Sequence, residues 1–233
     1  MYKYLLSNLI LSISTLFVCA QEDTVSVRFV SFPISNTSVS TELLVGDGKS
    51  IPVELPTTCL SPVYKVPALS EWSLGKMNIV INDKGKEQKV WKSYGKAKST
   101  GSSEQLILVI RKGASYEDGL KLIPLKYNEA NFGGGQYFIV NRTTVDIGLD
   151  LGSTRVALKP KGYKLLKPKP SKVVNGGKQL YTKLYYRSKG KMKPFYSSTW
   201  RLNDSARNLV FFYHEPQNNR IRTHTIRSYI RKK

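Results

Sequence analysis

Val39-Ser-Thr-Glu-Leu-Leu-Val-Gly46 and Val145-Asp-Ile-Gly-Leu-Asp-Leu-Gly152 are the two stretches on which the reading of this chain turns. Both are short, rich in branched residues and closed by glycine. Each is entered from an aromatic strand and an Asn-Thr or Arg-Thr turn. Downstream, Val53-Glu-Leu55 matches Val156-Ala-Leu158, and Pro follows closely in each copy. Asp83-Lys-Gly-Lys-Glu87 then matches Ser188-Lys-Gly-Lys-Met192, with an aromatic beyond it in each copy, Trp91 and Tyr196. Last, Glu104-Gln-Leu-Ile-Leu-Val-Ile110 matches Arg207-Asn-Leu-Val-Phe-Phe-Tyr213. The offset stays near 103–106 residues. Two unrelated β-rich segments share alternation; they do not share order and spacing, so the pattern predicts a tandem duplication.

Turn signals arrive every eight to twelve residues, between runs such as Val25–Phe32, Asn78–Asn82 and Gln136–Val140. That rhythm predicts an all-β fold of sandwiches or barrels. Helical periodicity is nearly absent, and the best candidate, around Tyr116–Leu120, amounts to one turn at most. The expected organisation is a signal peptide over 1–20, a first β domain over 21–130 and a second over 131–233, each β domain of about 100 residues. The boundary falls near Asn128–Gly135. There Phe132-Gly-Gly-Gly135 leads into a strand rather than a helix N-terminus, so it reads as a flexible junction and not as a phosphate cradle.

The N-terminus has the three-part pattern of an export signal: Lys3, an apolar run to Val18, then Cys19-Ala20 before Gln21. Lipidation of Cys19 is disfavoured because branched Val18 stands where a small residue is wanted. No later stretch reaches the roughly 20 apolar residues of a spanning helix. The expected location is therefore periplasmic or extracellular, with no transmembrane segment in the mature chain. Cleavage would leave Cys59 alone, which excludes an intramolecular disulfide framework. Cys59 itself reads as a small buried hydrophobe.

The second half carries a Tyr137-Phe-Ile-Val-Asn-Arg-Thr143 strand-turn, Asp150-Leu-Gly-Ser153, Ala157-Leu-Lys-Pro160 and Leu209-Val-Phe-Phe-Tyr213. In these it resembles a family of uncharacterised exported proteins of Gram-negative environmental bacteria. Those proteins have an Asn-x-Thr turn, a Leu-Gly hairpin and an Ala-Leu-x-Pro strand. The resemblance covers most of the mature chain and implies fold and export; it implies no activity.

Several motifs invite chemistry and do not sustain it. Ile147-Gly-Leu-Asp-Leu-Gly-Ser-Thr154 resembles the first phosphate-binding hairpin of actin-like ATPases, but the helices and second phosphate loop of that larger fold are missing. His214 and His224, the only two histidines, have Glu215 as their one nearby carboxylate, short of a zinc site. Gly-x-Ser-x-Gly and His-Glu-x-x-His are absent. The second half holds four acidic residues, Asp146, Asp150, Asp204 and Glu215. A two-carboxylate glycosidase pair would leave no local signature, and nothing points to one. Asn36, Asn141 and Asn203 sit in glycosylation-type patterns that read as Asn-rich turns. The expectation is a non-enzymatic protein with no cofactor and no metal.

Charge is what remains. Residues 21–130 carry 14 Lys and Arg against 12 Asp and Glu, and residues 131–233 carry 22 against 4. Two copies of one fold thus differ by about 16 charges, so the fold does not require them. The excess gathers at Lys159, Lys161, Lys164, Lys167, Lys169 and Lys172, and again at Lys183, Arg187, Lys189, Lys191 and Lys193. A further basic group runs from Arg220 to Lys233. Tyr163, Tyr181, Tyr185, Tyr186, Tyr196 and Trp200 are interleaved, an arrangement that suits an anionic polymer. The competing reading turns those aromatics inward under a merely solvated basic face. An anionic polysaccharide or another envelope or extracellular polymer is the expected partner. Sequence-specific nucleic-acid reading is not expected, since no recognition motif is present. The alternatives are a structural envelope protein without a specific ligand and a hydrolase acting on acidic glycans.

Overall fold

The structure is a computed structural model that describes residues 23–32, 39–46, 48–215 and 218–230. The expected signal peptide, the Asn36 pattern and the final basic residues 231–233 lie outside the described residues. In chain order the strands of the first half are β1 (Thr24–Phe32), β2 (Val39–Gly46), β3 (Lys49–Leu55), β4 (Tyr64–Pro67), β5 (Glu71–Ile81), β6 (Glu87–Lys98), β7 (Glu104–Arg111) and β8 (Leu120–Lys126). Those of the second are β9 (Tyr137–Asn141), β10 (Ile147–Leu151), β11 (Thr154–Leu158), β12 (Tyr163–Leu166), β13 (Lys172–Val174), β14 (Gly177–Ser188), β15 (Lys191–Leu202), β16 (Ala206–His214) and β17 (Ile221–Tyr229). The fold is all-β; no helix occurs among the described residues, and the segment around Tyr116–Leu120 is a turn.

Each half is a sandwich of the same topology. Sheet I (β3-β2-β5-β6) faces sheet II (β4-β1-β7-β8), and sheet III (β12-β9-β16-β17) faces sheet IV (β11-β10-β14, with β13 and β15 paired to β14). β1 runs parallel to β7, and β9 parallel to β16. A β-bulge falls at the same place in both halves, between Leu74 and Gly75 on β5 and between Leu184 and Tyr185 on β14. The extra residues on the partner strands are Tyr94 and Phe195, both packed on the core of their own half. Bulge register therefore makes Tyr94 the counterpart of Phe195. This corrects the sequence pairing of Trp91 with Tyr196, because the first hairpin reaches further past the bulge than the second.

The four sheets stack I–II–III–IV around three cores. Trp72, Phe29 and Leu43 lie between sheets I and II. Ile139, Leu149 and Phe212 lie between III and IV. The middle core joins the halves, with Val30, Phe32, Leu106 and Leu108 of sheet II meeting Phe138, Val140, Leu209 and Phe211 of sheet III. Strands of the inner sheets are buried on both faces: Leu106, Leu108 and Ile110 enter the middle core, while Ile107 and Val109 enter the first. That is why β7 and β16 read as unbroken apolar runs, whereas outer strands alternate. Phe32 stacks on Phe211 at 5.7 Å, the Arg207 guanidinium lies 4.3 Å from the Tyr127 ring centroid, and Tyr127 donates to Ser228 Oγ at 2.7 Å. All three contacts bridge the two halves.

Two local expectations are corrected. The Phe132–Gly135 segment is not a loose junction. Phe132 is fully buried in the middle core, and Gly134 lies so close to the Asp204 carbonyl that no Cβ fits. Cys59 is exposed rather than buried, because it follows the end of β3 in a surface loop.

Candidate functional site

The outward face of sheet IV collects the chemistry of the second half. Strand β14 sends Leu180, Thr182 and Leu184 inward, so Gln179, Tyr181, Lys183, Tyr185 and Arg187 point out. Register places neighbours beside each: Lys172–Gln179–Arg201, then Tyr181–Thr199, then Arg155–Asp150–Lys183–Ser197, then Ala157–Gly148–Tyr185–Pro194. Asp146, Arg187 and Met192 form the last row. Cationic rows thus flank a central row of small or apolar residues.

Both carboxylates on this face are held by donors from two adjacent strands. Asp150 accepts from Arg155 Nε at 2.7 Å and Nη2 at 3.4 Å, and from the Tyr185 hydroxyl at 3.0 Å. Asp146 accepts from Lys159 Nζ and Arg187 Nε, each at 2.9 Å. The Arg155 hydrogen bond is the main reason Asp150 ionises below the usual carboxylate range, and the Lys159 hydrogen bond does the same for Asp146. Reciprocally, Asp150 holds the Tyr185 phenol above its ordinary value.

Gly148 shapes the surface between them. A Cβ there would meet the Met192 methyl at 2.7 Å and Tyr185 Cβ and Cδ2 at 3.5 and 3.7 Å. The Tyr185 ring therefore lies against the glycine, half-buried, with its hydroxyl tied to Asp150. Above this floor is a groove of about 530 Å³. A second hollow at the end of the sandwich shares Arg187 and adds Lys189, Arg220, Arg222 and His214.

Of the eleven cations expected to bind, Lys159, Lys172, Lys183 and Arg187 share this face. Lys189 sits at the tip of the β14–β15 turn with φ 48°. Lys191 and Lys193 pair with Ser188 and Tyr186 and so belong to the opposite face of that hairpin. Lys161, Lys164, Lys167 and Lys169 run along the edge from the end of β11 past β12. Tyr181 and Tyr185 face outward and Tyr186 inward, so the inward reading of the aromatics holds only in part. Sequence reasoning missed Arg155, Arg201 and the organising role of Asp146 and Asp150. The signal was available: Asp146, Gly148 and Asp150 alternate along one strand and must share one face.

All four acidic residues of the second half are spent on ion pairs: Asp146 with Lys159 and Arg187, Asp150 with Arg155, Asp204 with Lys178, and Glu215 with Arg222. The histidines lie on opposite faces of the β16–β17 hairpin, since His224 pairs with Phe211 and His214 is three residues further along the same strand. His214 Nδ1 lies 3.1 Å from the Asn219 carbonyl, and its Nε2 lies 3.3 Å from Thr144 N. His224 Nε2 is buried without a partner, and burial lowers that ring's pKa. Among the described residues, no group of three or more His, Cys, Asp or Glu is placed to hold a metal, and no helix is long and apolar enough to cross a membrane. No family model matches this chain, and no curated protein matches it.

Proposed function

We propose that this is an exported, non-enzymatic binding protein whose basic second half docks on an anionic envelope or extracellular polymer. One observation carries the reading. Among the described residues the second half has 19 Lys and Arg, its four carboxylates pair with only five of them, and the remaining 14 form no ion pair within that half. Such an excess has no stabilising role in the sandwich and repels itself, so an external anion is its natural counterpart. A hydrolytic role finds little support. Asp146 and Asp150 are each engaged by cations, Asp146 by Lys159 and Arg187 and Asp150 by Arg155. Both are pushed toward the ionised form, which disfavours a general acid.

The test is retention of the whole mature chain on immobilised carboxylated polysaccharide, phosphate polymer and anionic vesicles near 0.15 M salt, roughly physiological ionic strength. Replacing Lys159, Lys172, Lys183 and Arg187, the expected cations that share the sheet IV face, with Gln should weaken retention about tenfold or more on whichever polymer is bound, with a shallower salt dependence. Retention that vanishes at that salt for every surface, or that ignores the four substitutions, would move the protein to the structural reading.

A further inference from the structure

We infer that the polymer is a carboxylated polysaccharide, bound along β14 across the outer face of sheet IV; this rests on the docking reading above. Tyr181, Lys183, Tyr185 and Arg187 form an outward row along β14 with successive members about 7 Å apart. Tyr181 is 52 % exposed, and Tyr185 is braced by Asp150. Two aromatic faces about 13 Å apart with a cation between them fit a chain of rings that carries acidic groups.

The carboxylates separate sugar from phosphate. The groove sets Arg155, Lys159 and Arg187 against Asp146 and Asp150, and Lys183 lies beside Asp150 on the neighbouring strand just outside the groove, a net charge of +2 from four cations and two anions. An ionised polyphosphate has no donors for Asp146 and Asp150 and is repelled by them. A uronate-type sugar meets every group. Its carboxylate pairs with Arg155 or Lys183, its hydroxyls donate to the aspartates, and its apolar ring face lies on Tyr185. Gly148 lets the Tyr185 ring lie close against the sheet, Ala157 beside it keeps that part of the floor low, and the adjoining Lys172 and Arg201 extend the positive face along the strand.

The whole mature chain should be titrated calorimetrically with polygalacturonate, neutral dextran, polyphosphate and duplex DNA near 0.15 M salt. Polygalacturonate should bind about tenfold tighter than polyphosphate, with dextran weaker than both. Tyr181→Ala, at an exposed position that folding does not need, should weaken polygalacturonate about tenfold and leave polyphosphate unchanged. Asp150→Asn should act in the same direction. If polyphosphate or DNA binds as well as the glycan and Tyr181→Ala is silent, the glycan inference fails while polyanion docking stands. If none of the polyanions binds, both fail.

Discussion

Where sheet I places Glu42 between Pro52 and Gly75, sheet IV places Gly148 between Ala157 and Tyr185. The neighbouring inward residues are the same in both halves, Leu43 beside Leu74 and Leu149 beside Leu184, and each pair ends at the β-bulge. The first half therefore fills this outer position from its central strand. There Glu42 Oε2 accepts from Ser50 Oγ at 2.6 Å and from Met77 N at 3.3 Å. The second half empties the central strand and lays an aromatic over the gap. Inward residues are constrained by the core and stay alike; outward residues are free to diverge, and there the two halves part in charge as well.

If the two halves are joined into one cooperative unit by the middle core, the largest effect should come from Phe211→Ala. Phe211 is buried against Phe32 of the other half, so truncation should cost about 3–5 kcal/mol. Calorimetry should record one unfolding transition for both halves, shifted down in the variant. Two separate transitions, only one of them shifted, would show that the halves fold independently.

A smaller effect sharpens the bulge comparison. A Cβ at Gly75 collides with the Lys92 carbonyl, part of a backbone that cannot step aside, so Gly75→Ala should cost about 1–3 kcal/mol. At Gly148 the obstacle is the mobile end of Met192, and Gly148→Ala should cost less than about 1 kcal/mol. Equal costs in urea unfolding would remove the distinction between the two sites.

The smallest effect concerns pH. Asp146 and Asp150 ionise below the ordinary carboxylate value of about 3.9, so their contribution to stability is present above that value. It is lost as pH falls through their lowered native values. Asp146→Asn with Asp150→Asn should flatten the melting profile below about pH 4 while leaving the carboxylates of the first half to titrate as before. In the same protein Tyr185 should titrate nearer its ordinary value of about 10, read by ultraviolet absorbance, because its anionic acceptor is gone. An unchanged Tyr185 would mean that the hydroxyl does not bond to Asp150 in solution.

Much of the fold was legible because β alternation, turn residues and repeat spacing are local. The Asp83–Glu87 and Ser188–Met192 segments announced the two hairpins, and their tips are where the pattern put them. Trp91 and Tyr196 misled because the first hairpin runs from the bulge to Ile81 while the second ends at Ser188, so counting from the turns pairs the wrong residues. Phe132-Gly-Gly-Gly135 misled because glycine marks both loose linkers and tight approaches, and only the Asp204 carbonyl facing Gly134 distinguishes them.

The site divided along the same line. That the second half is strongly basic is a sum over residues, and any arrangement of the chain preserves it. Which cations act together is not a sum. Lys183 and Lys193 are both part of one hairpin, yet strand alternation and the bulge put them on opposite faces. Arg155 joins Lys183 through Asp150 only because β10 lies between β11 and β14. The chain's own chemistry thus settled an all-β repeat with its charge at one end. Pairing between strands distant in sequence decided the middle core, the paired aspartates and the groove, because a side chain's neighbours across a sheet depend on register that no local stretch encodes.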